Sequence, residues 1–139
     1  MIVKVVIAVF FLFELSNVLV MYFAPSSKYA NAIGVFTAWE RSKQYPEIHD
    51  FVKYLANWVA GAKLNFLLLL TVIILFADIE VQRLSLLALA LGTSSFYWRL
   101  FPLIRKMDQS GQVEPRNYSV FLGVMILAFI TFFLIAALT

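Results

Sequence analysis

Of the polar side chains within the apolar runs of this 139-residue sequence, seven are singled out as able to do chemistry: Glu14, Asn17, Lys63, Asn65, Ser95, Tyr97 and Arg99. Their types define the chemistry on offer. Glu14 can accept a proton, bind a cation or pair with a base, and Lys63 and Arg99 are the two bases near its level. Asn17, Asn65 and Ser95 can hydrogen-bond a ligand. A carboxylate beside Tyr97 or Lys63 has the makings of an acid and base pair that moves protons on a lipophilic substrate. Catalysis is therefore assigned to Glu14 and Tyr97, and ligand binding to Asn17, Asn65, Lys63, Ser95 and Arg99. No metal ligation is expected, because His49 is the sole histidine and there is no cysteine. The lack of cysteine also excludes disulfides and thiol redox chemistry, and no cofactor is implied.

The elements that hold these groups follow from composition. The chain is 63% hydrophobic and 14% charged, far from the usual balance of a soluble domain. Four stretches reach the roughly 20 residues that a helix needs to cross a bilayer: Ile2 to Ala24, Tyr54 to Ala77, Leu84 to Ile104 and Tyr118 to Leu138. The expected fold is all-α, one domain over residues 1–139, a four-helix antiparallel membrane bundle with a long cytoplasmic loop between helices 1 and 2. The first span resembles a signal peptide in having Lys4 before an apolar run. Glu14 interrupts that run and Pro25 follows it, so it reads as a retained helix.

The net charge of +3 does not point to nucleic acid, because the basic residues fall in the connections between spans. Lys28, Arg41, Lys43 and Lys53 precede span two, and Arg105, Lys106 and Arg116 precede span four. By the positive-inside rule these loops are cytoplasmic and both termini are non-cytoplasmic. The connection "ADIEVQR" is tight, which makes spans two and three neighbours. "RKMDQSGQVEPRN" reads as a glycine-centred turn, with too few ligands for a calcium loop.

Pro46 and Glu47 suit a helix start, so the second helix begins well before the hydrocarbon and runs about 48 Å if continuous to Ala77. Upstream, Val35, Phe36 and Trp39 beside a charged run predict a short helix on the inner membrane surface. His49 is expected to be solvated.

Counting 1.5 Å per residue puts Glu14, Lys63 and Asn65 near one depth, with "GTSS" of span three at the same layer. An ionised group facing lipid there costs about 2.5 to 3.5 kcal/mol on insertion scales. Glu14 is therefore expected to turn inward and pair with Lys63 or Arg99. Asn57, Gly61 and Asn65 share one stripe, from which Lys63 points away. The outer half is nearly devoid of polar groups, so the polar layer is expected to form a cytoplasm-facing pocket.

Three functions fit these residues. The first is binding, with conversion or movement, of a small lipophilic molecule. The second is ion- or proton-coupled transport; the plan is similar to that of small multidrug exporters, although their short loops and glycine-rich third span are missing. The third is a non-catalytic subunit of a larger membrane complex. The expected partners are the bilayer and either a second copy or other membrane chains.

Overall fold

The computed structural model describes residues 1–28 and 33–139. The described residues are helical, with no strand beyond one isolated bridge between Phe36 and Val113. The helices are α1 (Ile2–Phe23), α2 (Thr37–Ser42), α3 (Pro46–Phe76), α4 (Ile79–Ser94), α5 (Phe96–Gln109) and α6 (Tyr118–Leu138), with a single 3-10 turn at Ile33–Val35. Among the described residues four helical segments are long and apolar enough to cross a membrane: α1, α3, α4 with α5, and α6. Their outward surfaces carry Leu68, Leu69, Val72, Phe121, Val124 and Phe132, as contact with hydrocarbon requires.

α3 starts at Pro46, whose fixed φ and missing N–H suit the first helical position, with Glu47 in the first turn. Its 31 residues extend about 46 Å, so its first turns stand clear of a hydrocarbon core of about 30 Å. The turn from α3 to α4 is closed from both sides. Asp78 Oδ1 accepts from Val81 N at 2.8 Å and caps α4. Gln82, fully buried, donates from Nε2 to Ala77 O at 3.0 Å and Ile73 O at 3.3 Å, which satisfies carbonyls at the end of α3.

The third predicted span is longer than its sequence boundaries and divides at Ser95. Ser94 Oγ donates back to Ala90 O and Ser95 Oγ to Gly92 O, and Pro102 leaves a carbonyl in the next turn without its helical donor. Serine back-bonding and an internal proline both bend helices.

α1 packs chiefly on α3, and α4 on α6. On α1 the inward residues are Val3, Ile7, Phe10, Glu14, Asn17 and Met21, and on α3 they are Ala56, Ala60, Lys63, Leu67 and Leu70. Both series alternate steps of four and three, the seam of two helices packed along their length. α1 meets α6 through aromatic rings: Phe10 lies edge-on to Phe129 and Phe133, at centroid distances of 5.3 and 4.9 Å.

At the loop end, Val35 and Trp39 are buried in protein. This corrects the expectation that they face lipid from a surface helix. Trp39 Nε1 donates to Ser26 Oγ at 2.9 Å, and its ring lies 4.6 Å from that of His49. His49 is not the solvated residue its polar neighbours suggest. Its Nδ1 sits 2.8 Å from Ser42 Oγ, which itself donates to Trp39 O; the set is complete when Nδ1 carries the proton. The indole needs a partner for its N–H as well as cover for its ring, and the preceding loop supplies both.

Candidate functional site

The seams of α1 and α3 bring Glu14 and Lys63 face to face. Lys63 Nζ donates to Glu14 Oε2 at 2.6 Å, and the side chains retain 27% and 15% of their exposure. Each sits in register among apolar neighbours, Phe10 one turn from Glu14 and Leu67 one turn from Lys63. In so dry a setting, attraction and desolvation are both large, and the pair persists because each charge would otherwise be uncompensated. Glu14 is the acceptor for only one of the three ammonium N–H groups, and among the described residues no other hydrogen bond to Nζ is formed.

The remaining sequence candidates do not join this pair. Arg99 is exposed on α5, its guanidinium over the Trp98 ring at 5.4 Å. Ser95 is exposed and bonded to its own helix, and Asn65 points outward from α3. Tyr97 is half-buried and donates its hydroxyl proton to Gly123 O of α6 at 2.5 Å, a strap between α5 and α6. Asn17 is buried at 2% exposure, and its Nδ2 has no hydrogen-bond partner among the described residues.

A cavity of ≈460 Å³ adjoins the ion pair between α1, α3 and α4. Phe66, Leu70 and Ile73 form one wall, Ala88, Leu89 and Gly92 the other, and Phe10 the floor. Its polar groups are Glu14, Lys63, Ser85 and Thr93. Ser85 donates to Val81 O, whereas the Thr93 hydroxyl makes no hydrogen bond within the described residues and is a free donor. Leu69, Ala88 and Gly92 in its lining are exposed, so the groove is open on the outer surface of the helices. A Cβ added at Gly92 would meet nothing within 4 Å.

This groove runs from the ion pair toward Ile73 and Ser85, the end of the α3–α4 turn. The sequence expectation sets the pocket on the side of the basic loops; this cavity of ≈460 Å³ extends the other way. Apolar lining is the reason, since the space needs no polar side chains in that half. A second cavity of ≈310 Å³ does lie toward the loops, walled by Phe96, Leu100, Ile104 and Leu122, and it too is bordered by Lys63.

Outside the spans, Lys28 pairs with Glu114 at 2.5 Å, and this cation holds the Glu114 carboxyl below its ordinary value. Asp108 accepts from Ser119 N, Ser119 Oγ and Asn117 N and so caps α6. The described residues contain no group of three or more His, Cys, Asp or Glu able to hold a metal ion.

Sequence reasoning set Gly92 and Thr93 in the polar layer, within "GTSS", without assigning them to the site, and it missed Phe10. The signal for them was the α3 seam: Ala56, Ala60, Lys63, Leu67 and Leu70 mark the packed face, and the neighbours of Lys63 follow from it. No family model matches the chain, no curated protein matches it in sequence, and no solved structure matches its fold.

Proposed function

We propose that this chain is a four-span antiparallel membrane bundle that binds, and converts or moves, a small lipophilic molecule in the groove between α1, α3 and α4. In this reading, supported by the distribution of Lys and Arg, both termini and the α3–α4 turn are non-cytoplasmic and the basic loops are inside. The observation that carries this reading is the coincidence of an apolar groove open to the lipid side with a part-buried ion pair and a free hydroxyl at one end. Ligand sites characteristically combine apolar walls with a few convergent polar groups. An intramembrane charge pair used only for register would not require the space beside it.

Movement across the bilayer is favoured over simple storage by one further fact: Lys63 borders cavities on both sides of the polar layer. Self-association draws its support from Asn65, an exposed amide in the apolar part of α3 that a second helix would relieve. Glu14 is the residue to which chemistry is assigned; Tyr97, engaged with Gly123, serves the packing of α5 on α6 in this reading.

The test is to fill the groove. Gly92→Leu adds volume where there is open space and replaces a poor helix former, a gain of about 1 kcal/mol in helix propensity. Photocrosslinking with a diazirine-bearing dodecanol in nanodiscs, followed by peptide mapping, should label α3 and α4 beside the groove in the wild type and at least tenfold less in Gly92→Leu. Equal labelling of the two proteins would remove the groove as a binding site.

A further inference from the structure

We propose that the groove selects a single-chain carboxylic acid, whose head takes the place of Glu14 on Lys63 while Glu14 takes up a proton. This rests on the reading of the groove as a ligand site and names its ligand class.

The donor inventory carries the choice of an anion. The groove end presents two uncommitted N–H groups of Lys63 and the free Thr93 hydroxyl, against the spare acceptor sites of Glu14. Lys63 is also the more accessible member of the pair, 27% against 15%, and borders both cavities, whereas Glu14 borders only one of them. A ligand arriving from either side reaches the ammonium. Charge balance then selects the head group. A carboxylate replaces a carboxylate one for one, so Lys63 stays paired and the layer stays neutral once Glu14 is protonated. A phosphate monoester with two charges would leave an excess negative charge in the bilayer, at a cost of several kcal/mol.

Among the described residues no other ionised group lines the groove. Lys63 is the sole charged residue of α3 beside Glu14, and α4 contributes Ser85 and Thr93 to the groove. α6, packed on α1 through Phe129 and Phe133, carries no Asp, Glu, Lys or Arg, and Arg99 of α5 is engaged with Trp98. The length fits a single chain: Lys63 to Ile73 spans about 15 Å along α3, room for an alkyl tail of about ten to twelve carbons.

The step balances: the Lys63–Glu14 hydrogen bond breaks, a Lys63–carboxylate hydrogen bond forms, and one proton from solvent ends on Glu14. Diazirine-bearing dodecanoate and dodecanol probes test it in nanodiscs of zwitterionic lipid. Glu14→Gln removes the internal competitor and should raise dodecanoate labelling about tenfold at neutral pH, the effect of one hydrogen bond to a charged group. Above the pH at which the probe's own carboxyl is ionised, it should also abolish the fall in labelling that the wild type shows as pH rises. Lys63→Met should lower dodecanoate labelling at least tenfold relative to dodecanol labelling of the same variant. The uncharged pair Glu14→Gln with Lys63→Gln covers the case of a single variant that fails to fold, and should bind dodecanol and show no preference for dodecanoate. Dodecanoate labelling that survives loss of Lys63, or a pH dependence retained by Glu14→Gln, overturns this proposal while leaving the groove as a site. Failure of both probes to label the wild type overturns the groove itself.

Discussion

Removing the two ends of the ion pair should have unequal costs. Lys63→Met leaves the Glu14 carboxylate with no cation, at 15% exposure and on a short stem that cannot reach water. Breaking a buried pair by deleting one member costs about 3–5 kcal/mol, and the residual exposure of both side chains here reduces that to about 2–3 kcal/mol. Glu14→Gln leaves an ammonium that is 27% exposed on a long stem, which can extend along apolar surface to a more polar level. Its cost should be about 1 kcal/mol. With both charges removed, the double variant should lie within about 1 kcal/mol of the wild type, so the two effects are non-additive by about 2 kcal/mol or more. Reversible unfolding in mixed micelles, or steric trapping in bicelles, measures all three differences. A larger loss for Glu14→Gln than for Lys63→Met would refute the argument from stem length and exposure. Additive effects would refute the pair itself.

Gly123→Ala should destabilise by about 1–3 kcal/mol in the same unfolding assay, because the new methyl would lie 2.8 Å from Phe101 Cε2 and press apart the helices that Tyr97 ties. Asp108→Ala removes the acceptor for three donors at the start of α6; a loss of about 1–2 kcal/mol and faster hydrogen exchange at residues 117 to 119 are expected. The Lys28–Glu114 tether should respond to pH at both extremes. Glu114 lies below its ordinary 4.5, so its contribution is present above that value and lost as pH falls through the lowered one. Lys28 is raised above 10.5 by the same contact, so its contribution is present below that value and lost as pH rises through the raised one. Exchange of the Glu114 amide, which donates to Val35 O, should be slowest between those limits.

The spans were legible because hydrocarbon imposes length and apolarity directly, and the start of α3 at Pro46 was legible because proline admits few backbone positions. The side chains that meet at the site were legible only in part. Depth identified Glu14 and Lys63, since depth is a count along the chain. Facing did not follow from the polar stripe of Asn57, Gly61 and Asn65, because polarity alone does not mark the packed side of a membrane helix. The small and branched residues of α3 mark it, and they place Lys63 inward and Asn65 outward. Arg99 lies on the exposed side of α5 with its guanidinium over Trp98, and helical spacing alone did not say which face of that helix packs. Trp39 and His49 depended on a contact with Ser26 and Ser42 across the loop, which no local pattern encodes.

The four long segments meet unevenly, and this has a mechanical meaning. α1 with α3 forms one leaf and α4 with α6 the other, and the leaves join along the Phe10, Phe129 and Phe133 rings as pages join at a spine. At the fore-edge, α3 and α4 are held by the turn that Asp78 and Gln82 close, and the groove occupies the gap between them. The width of that gap is an angle between two leaves, with no single side chain setting it. Under the proposed function, girth of an occupant and lateral pressure from a surrounding bilayer act on the same coordinate, and a change in membrane composition is then expected to be felt at the groove without any change in its residues.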